Sequence, residues 1–258
     1  MFPNMELSIL IPAYNEENRL GAMLDKYLPF FDAIYSGRYE TLIIVNGSHD
    51  RTEEIARTYS VASPAVRVLV DPRPIGKGGA IILGFKHARG RFIGFVDADG
   101  ATPPQSFHEL VERIGSAGAI IASRRMKGAH VSPRQPLSRR AASRLFNALV
   151  HLLFGLRISD TQCGAKLLTR EAVQAILPHI GTTKWAFDVD LLFQLRHAGF
   201  DILEIPTTWC DVSGSRLQII KASLEMFVAM VRLRLLYSPF RWVVSLYDGT
   251  IARFIRTD

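Results

Sequence analysis

The sequence has few cysteines, no long apolar run and no internal repeat. Only Cys163 and Cys210 occur among its 258 residues, which excludes a disulfide framework and favours a reducing compartment, the cytoplasm. No uncharged apolar stretch reaches the length of about 18 residues that a membrane-spanning helix needs, so none is predicted. Residues 1–10 lack the basic start and apolar core of a secretion signal.

Acidic residues are outnumbered by basic ones, and the formal net charge is +7. This excess favours an anionic partner, which could be a phosphate-bearing substrate, an anionic membrane surface or nucleic acid. The basic residues are not interleaved with aromatic residues in a recognisable nucleic-acid-binding module. We therefore rank that class last and expect no nucleic-acid partner.

Strand-like and helix-like segments alternate along the first two-thirds of the chain. Apolar strands are predicted at 7–11, 41–45, 66–70, 92–96 and 119–123, with amphipathic helices between them. This order predicts an α/β fold with a mainly parallel sheet and helices on both faces. Ligands of such sheets bind at the carboxyl ends of the strands, where the turns at 12–16, 46–50 and 97–101 fall.

A glycine-rich turn at 76–80 and a helix at 81–88 are predicted between the third and fourth strands. The second half of the chain is less regular. There we predict a mobile basic loop at 127–140 leading into a helix at 141–154, a helix at 188–197 and a strand at 202–205. Residues 1–216 are assigned to the α/β domain and 217–258 to a basic amphipathic helical tail. Such helices can lie in a membrane interface, which would make the protein peripheral on the cytoplasmic membrane face. Packing of the tail on its own domain is the alternative.

The clearest local signal is the pair of carboxylates in Asp97-Ala98-Asp99, directly after the fourth predicted strand. Hard divalent cations bind oxygen ligands and bridge the oxygens of a diphosphate. A bound Mg²⁺ or Mn²⁺ would neutralise a departing diphosphate. The pair alone is a weak signal, because such pairs are common in turns.

Three further segments give that pair its context. Ile11-Pro12-Ala13-Tyr14-Asn15-Glu16 closes the first strand, Asn46-Gly47-Ser48-His49-Asp50 closes the second, and Gly76-Lys77-Gly78-Gly79 follows the third. In this order the four segments resemble the family 2 glycosyltransferases of the GT-A fold, over residues 7–210. The stretches at 160–167 and 185–192 resemble most closely the polyprenyl-phosphate sugar transferases of the dolichyl-phosphate β-glucosyltransferase branch.

The resemblance implies a metal-dependent, inverting hexosyltransferase that moves glucose from UDP-glucose to polyprenyl or dolichyl phosphate. It implies a nucleotide-sugar site with Asp99 as principal metal ligand, Asp97 as its partner toward the nucleotide, and Tyr14, Glu16 and Lys77 as donor contacts. The full set is Pro12, Ala13, Tyr14, Glu16, Asn46, Lys77, Asp97, Ala98 and Asp99.

One departure from the family pattern concerns the base. The family commonly carries two acidic residues before Gly-Ser in the second turn, where this chain has Val45 and Asn46. Those acids often hold the nucleobase, so their absence puts uracil recognition in question. Asn46 could still hydrogen-bond a base edge.

The acceptor site is predicted from arginines that follow the fifth strand. A guanidinium presents a rigid fork of donors that suits phosphate. The resemblance implies that Arg124, Arg139 and Ser143 contact the acceptor phosphate. A solvated basic face is the alternative for each arginine.

The acceptor class decides whether a general base is needed. A lipid phosphate is already ionised near neutral pH, whereas a hydroxyl must lose its proton. Asp188 is the first candidate base and Asp190 the second. Two rival functions follow: a family 2 enzyme acting on a saccharide or small-molecule hydroxyl, and a nucleotidyltransferase using the same carboxylate pair.

Overall fold

The computed structural model describes residues 5–133, 137–181, 186–210, 219–239 and 242. The strands are β1 (Leu7–Ala13), β2 (Tyr39–Asn46), β3 (Val66–Asp71), β4 (Phe92–Phe95), β5 (Ala119–Ser123), β6 (His130–Ser132), β7 (Lys166–Thr169), β8 (Ile202–Pro206) and β9 (Thr208–Cys210). The helices are α1 (Leu20–Tyr35), α2 (Thr52–Ala62), α3 (Gly76–His87), α4 (Pro104–Arg113), α5 (Leu137–Phe154), α6 (Arg170–Ile176), α7 (Phe187–His197) and α8 (Ile219–Leu236).

Seven strands form one sheet in the order β3-β2-β1-β4-β7-β5-β8. All neighbouring strands pair in parallel except β7, which runs antiparallel to both β4 and β5. Two apolar clusters cover the two faces of the sheet, one built with α1, α2 and α4 and the other with α3, α5, α6, α7 and α8. The predicted mainly parallel α/β sheet with helices on both faces is confirmed.

Several local predictions are corrected. The segment 76–80 is not a turn but the first part of α3, in which Gly78 packs closely against Phe187 and Gly79 against Ile75. Helix α5 begins at Leu137 rather than near residue 141. The basic loop before it contains β6, which pairs in parallel with β9 in a small second sheet.

The segment 217–258 is only partly described, and its described part packs on the domain. Met230 and Leu233 of α8 are each 1% exposed and belong to the cluster formed with α5 and α7. In the part of the chain that the structure describes, no helix combines the length and the apolar character needed to cross a bilayer.

Candidate functional site

The carboxyl ends of β1, β2 and β4 border a cavity of about 390 Å³. Because these strands are parallel neighbours in the sheet, the segments that follow them meet at one edge. The cavity is lined by Pro12, Tyr14, Glu16, Arg19, Asn46, Pro74, Gly76, Lys77, Asp97, Ala98 and Asp99. Every predicted nucleotide-sugar residue except Ala13 is therefore brought together here, and Ala13 is fully buried in β1.

Asp97 forms an ion pair with Lys77, whose Nζ lies 2.6 Å from Oδ1 of the carboxylate. Although burial opposes the shift, the charges of Lys77, Lys166 and Arg124 lower the pKa of Asp97. Gly164 makes room for this carboxylate, because a Cβ on Gly164 would lie 2.0 Å from Oδ2 of Asp97. Asp97 is thus held as an anion among cations.

Asp99 and Glu16 are less well compensated. Asp99 accepts one hydrogen bond, from the backbone N–H of Ala101 at 3.0 Å, and burial together with the charge of Asp97 raises its pKa. Glu16 pairs with Arg19 at 2.6 Å, yet burial, with smaller contributions from Asp99 and Asp97, still raises its pKa. The cavity therefore has an excess of negative charge at Asp99, which a divalent cation would offset.

Asp188, the first candidate base, is already paired. The side chain of Lys166 is 1% exposed, and its Nζ lies 2.6 Å from Oδ1 of Asp188 while donating to the carbonyl of Cys163 at 2.7 Å. The charge of Asp188 also acts with that of Asp97 to raise the pKa of Lys77, against the effect of burial. Asp188 therefore belongs to the charged surroundings of the cavity.

Asp190, the second candidate base, is fully buried and faces the C-terminal helix. It accepts hydrogen bonds from the hydroxyl of Tyr237 at 2.6 Å and from the backbone N–H of Gly181 at 3.0 Å. Burial raises its pKa against these hydrogen bonds. These contacts give Asp190 a structural role.

The predicted acceptor residues are not all in one place. Arg124 forms a bidentate pair with Asp160, at 2.7 and 2.9 Å, and its guanidinium lies 4.8 Å from the centre of the Trp209 ring. Ser143 contacts Arg125 instead, by accepting a hydrogen bond from its guanidinium. Arg139 falls within α5, but its side chain lies outside the described part of the chain.

Three charged residues of this region were missed by sequence reasoning. They are Arg19, which pairs with Glu16, Arg125, which contacts Ser143, and Lys166, which pairs with Asp188. The sequence could have indicated Lys166, because it is the one charged residue in the apolar stretch 165–168. A charge buried in such a stretch needs a partner of opposite charge. Arg19 had no such signal, whereas Arg125 directly follows Arg124 in the basic run after the fifth strand.

Comparison with known proteins gives the same family. The model described as Glycosyl transferase family 2 matches residues 8–177. Relatives named dolichyl-phosphate beta-glucosyltransferase include those of Dictyostelium discoideum and Homo sapiens, each 33% identical, covering 94% and 93% of this chain and 78% of each relative. That of Drosophila melanogaster is 35% identical, over 87% of this chain and 73% of the relative.

A solved structure agrees in fold. The crystal structure of glucosyl-3-phosphoglycerate synthase from Mycobacterium tuberculosis in complex with Mn²⁺ and UDP-glucose has a TM-score of 0.66 to this chain. The match covers 89% of this chain and 79% of that one at 18% identity, and it confirms the GT-A fold. With its strand-end motifs gathered around one cavity and these matches over most of its length, the chain belongs to glycosyl transferase family 2.

Proposed function

We propose that this chain is an inverting glucosyltransferase that moves glucose from UDP-glucose to the phosphate of dolichol or another polyprenol. The relatives that share about a third of its residues carry the name of that activity over nearly the whole chain. Direct displacement at the anomeric carbon of the α-linked donor gives a β-linked product. The acceptor phosphate is the nucleophile, and UDP is the leaving group.

The choice of a phosphate as acceptor rests on one observation: both candidate bases already bind other side chains. Asp188 is paired with buried Lys166, and Asp190 is hydrogen-bonded to Tyr237. A hydroxyl acceptor needs a carboxylate that is free to take its proton, whereas a phosphate acceptor arrives ionised. The engaged carboxylates therefore favour the phosphate.

We further propose that a divalent cation, Mg²⁺ or Mn²⁺, is held by Asp99 with Asp97. The donor set fits, because the Asp99 carboxylate accepts a backbone hydrogen bond from Ala101 while burial and the charge of Asp97 raise its pKa, so a cation would stabilise its charge. Among the described residues, no group of three His, Cys, Asp or Glu side chains could hold a metal alone, so diphosphate oxygens of the donor would complete the shell. When bound, the cation would neutralise charge on the departing diphosphate.

The chain's own residues have distinct roles in this scheme. Lys77 lies 2.6 Å from Asp97 at the cavity wall, where its ammonium can bind a diphosphate oxygen. Tyr14 is 51% exposed beside the cavity and offers its ring to the nucleoside. Positioning and charge neutralisation are the main sources of rate acceleration in such a transfer.

We also propose that the protein works at a membrane surface, where its lipid acceptor resides. Helix α5 exposes Leu145 and Leu152, at 64% and 79%, and α8 exposes Phe227 and Val228, at 42% and 53%. Exposed arginines accompany them, as expected of helices that lie in an anionic interface. The cytoplasmic face is the expected side.

A donor and acceptor screen tests the proposed function. The protein is incubated with UDP-glucose, other nucleotide sugars and polyprenyl phosphate, in Mg²⁺, Mn²⁺ or chelator, and lipid-linked sugar is measured. We expect lipid-linked glucose from UDP-glucose and its loss in chelator. Transfer only to saccharide hydroxyls would overturn the acceptor assignment, and release of pyrophosphate from nucleoside triphosphates would indicate a nucleotidyltransferase.

A further inference from the structure

Asn46 occupies a position where the family commonly has an acid, and in this chain its side chain joins two segments of the cavity wall. Its Nδ2 donates to the carbonyl of Ala13 at 3.1 Å, and its Oδ1 accepts from the backbone N–H of Gly76 at 3.1 Å. Asn46 borders the cavity but is only 2% exposed. Its amide is therefore used within the protein.

These two hydrogen bonds need an amide. The partner at one end is a carbonyl, which only accepts, and the partner at the other end is an N–H, which only donates. An aspartate would satisfy Gly76 but would place a carboxylate against the carbonyl oxygen of Ala13. The asparagine thus makes a bridge that the family's acid could not make.

The Gly76 end of the bridge is the start of α3, directly before Lys77. The first N–H groups of a helix have no partner within the helix, and no side chain of the preceding residue Ile75 caps this one. Asn46 supplies the missing acceptor from 30 residues away. It thereby holds the residue next to Lys77 in place.

The segment between β3 and α3 is held at a second point. The N–H of Gly47 donates to the carbonyl of Asp71 at 2.9 Å, and a Cβ on Gly47 would lie 2.7 Å from Pro74. With the segment held on both sides, the start of α3 has little freedom to move. The position of Lys77 relative to Asp97 then depends on the bridge.

We propose that Asn46 is a positioning residue that acts through Lys77 on the diphosphate of the donor, and that it does not read the nucleobase. The proposal rests on the proposed function, in which Lys77 binds that diphosphate. It predicts that loss of the bridge weakens the binding of a ligand without a nucleobase as much as the binding of a ligand that has one.

Calorimetry with UDP and with inorganic pyrophosphate, each with Mg²⁺, tests this claim. Asn46→Asp and Asn46→Ser should weaken both ligands by a similar factor of about tenfold, as is typical when a supporting contact is lost. Ser116→Asp is the matched control, because it adds the same charge at an exposed position outside the cavity lining and should change neither affinity. The serine variant removes the bridge without adding a charge, and circular dichroism checks that each variant folds.

A double-mutant cycle with Lys77→Met completes the test. If Asn46 acts through Lys77, the charge-free variant Asn46→Ser adds almost nothing to the loss caused by Lys77→Met. Weakened binding of UDP alone, or a full additional loss in the Lys77→Met background, would overturn the proposal. Absence of UDP binding by the unaltered protein would instead count against the donor site of the proposed function.

Discussion

Asp97 and Asp99 are separated by one residue but differ in their surroundings. Asp97 is paired with Lys77 and lies near two further cations, so its charge is stabilised within the protein. Asp99 accepts a backbone hydrogen bond from Ala101, and burial together with the neighbouring charge of Asp97 raises its pKa. Asp99 is therefore the carboxylate that gains most from a bound cation.

Replacing Asp99 by Asn should abolish most of the glucosyl transfer and leave the fold intact. Removal of one charge-stabilising group of an active site typically lowers the rate about a hundredfold or more. Transfer to polyprenyl phosphate and the thermal midpoint are both measured. Asp201→Asn is the control, because the Asp201 side chain is 85% exposed and lies away from the cavity lining. Wild-type activity in Asp99→Asn would contradict the metal assignment.

Asp188 distinguishes the two acceptor classes. If the acceptor is a phosphate, Asp188→Asn lowers activity only through its effect on Lys166 and the cavity charge, so the ratio of variant to wild-type rate stays constant as pH rises. If the acceptor is a hydroxyl, loss of the base costs about a hundredfold to ten-thousandfold, and hydroxide restores part of it. We expect a constant ratio in rate measurements between neutral and alkaline pH. Recovery at alkaline pH would favour the hydroxyl acceptor.

Much of the cavity at the strand ends could be predicted from the residues alone. Each strand-end motif is short and continuous in sequence, and a parallel sheet brings the carboxyl ends of its strands to one edge, so the sequence predicts that Tyr14, Lys77 and Asp99 lie around one cavity, as they do. Their roles in donor binding stay a prediction. The acceptor side depends on pairings between distant segments. The ion pair of Arg124 with Asp160 joins residues 36 positions apart, and no local sequence pattern predicts it.

At the scale of elements, α7 connects the cavity to the C-terminal helix. Its first turn carries Asp188 beside Lys166 and Asp190 beside Tyr237. The ring of Tyr237 also lies 5.1 Å from that of Phe193 on the same helix. The described part of the segment 217–258 is thus attached to the helix that carries the candidate base.

Replacing Tyr237 by Phe should destabilise the protein, because it leaves the buried Asp190 without one of its donors. A hydrogen bond to a charged group contributes about 1.5–3 kcal/mol to the free energy of unfolding. Tyr59→Phe is the matched control, since Tyr59 donates to Asp25 at the same distance of 2.6 Å but at an exposed site. Urea denaturation compares the two variants. An equal or smaller loss for Tyr237→Phe would contradict the structural role of this contact.

The sequence patterns missed strand β7 and the first turn of α3. Strand β7 is four residues long and begins with a charged residue, so its apolar run is too short to be distinguished from a loop. Helix α3 begins with glycines that usually mark a turn, but close packing selects them here, since a Cβ on Gly78 would lie 2.7 Å from the Phe187 ring. In α3, packing between distant elements outweighed local propensity.

At the scale of the whole molecule, α5 combines a contact to Arg125 with exposed apolar side chains. One face of this helix carries Ser143, which contacts Arg125, and Leu145 and Leu152 are exposed on the same helix. A lipid phosphate has its charge at the membrane surface and its chain within the bilayer. A helix that carries the predicted acceptor residue Ser143 and exposed leucines suits such an acceptor, and the net charge of +7 adds attraction to anionic lipid.

Leu152→Glu should therefore reduce binding to vesicles of phosphatidylserine and phosphatidylcholine. It removes an apolar side chain from the proposed interface and adds a charge that anionic lipid repels, so we expect about a tenfold or greater loss in co-sedimentation affinity. Val61→Glu is the matched control, because Val61 is a 90% exposed apolar residue on α2, away from α5 and α8. Raising the salt concentration should weaken wild-type binding, since counterions screen the attraction between arginines and lipid. UDP binding should be unchanged in both variants, which would separate loss of the membrane contact from damage to the donor site. Equal vesicle binding by Leu152→Glu and Val61→Glu would contradict the membrane assignment of α5.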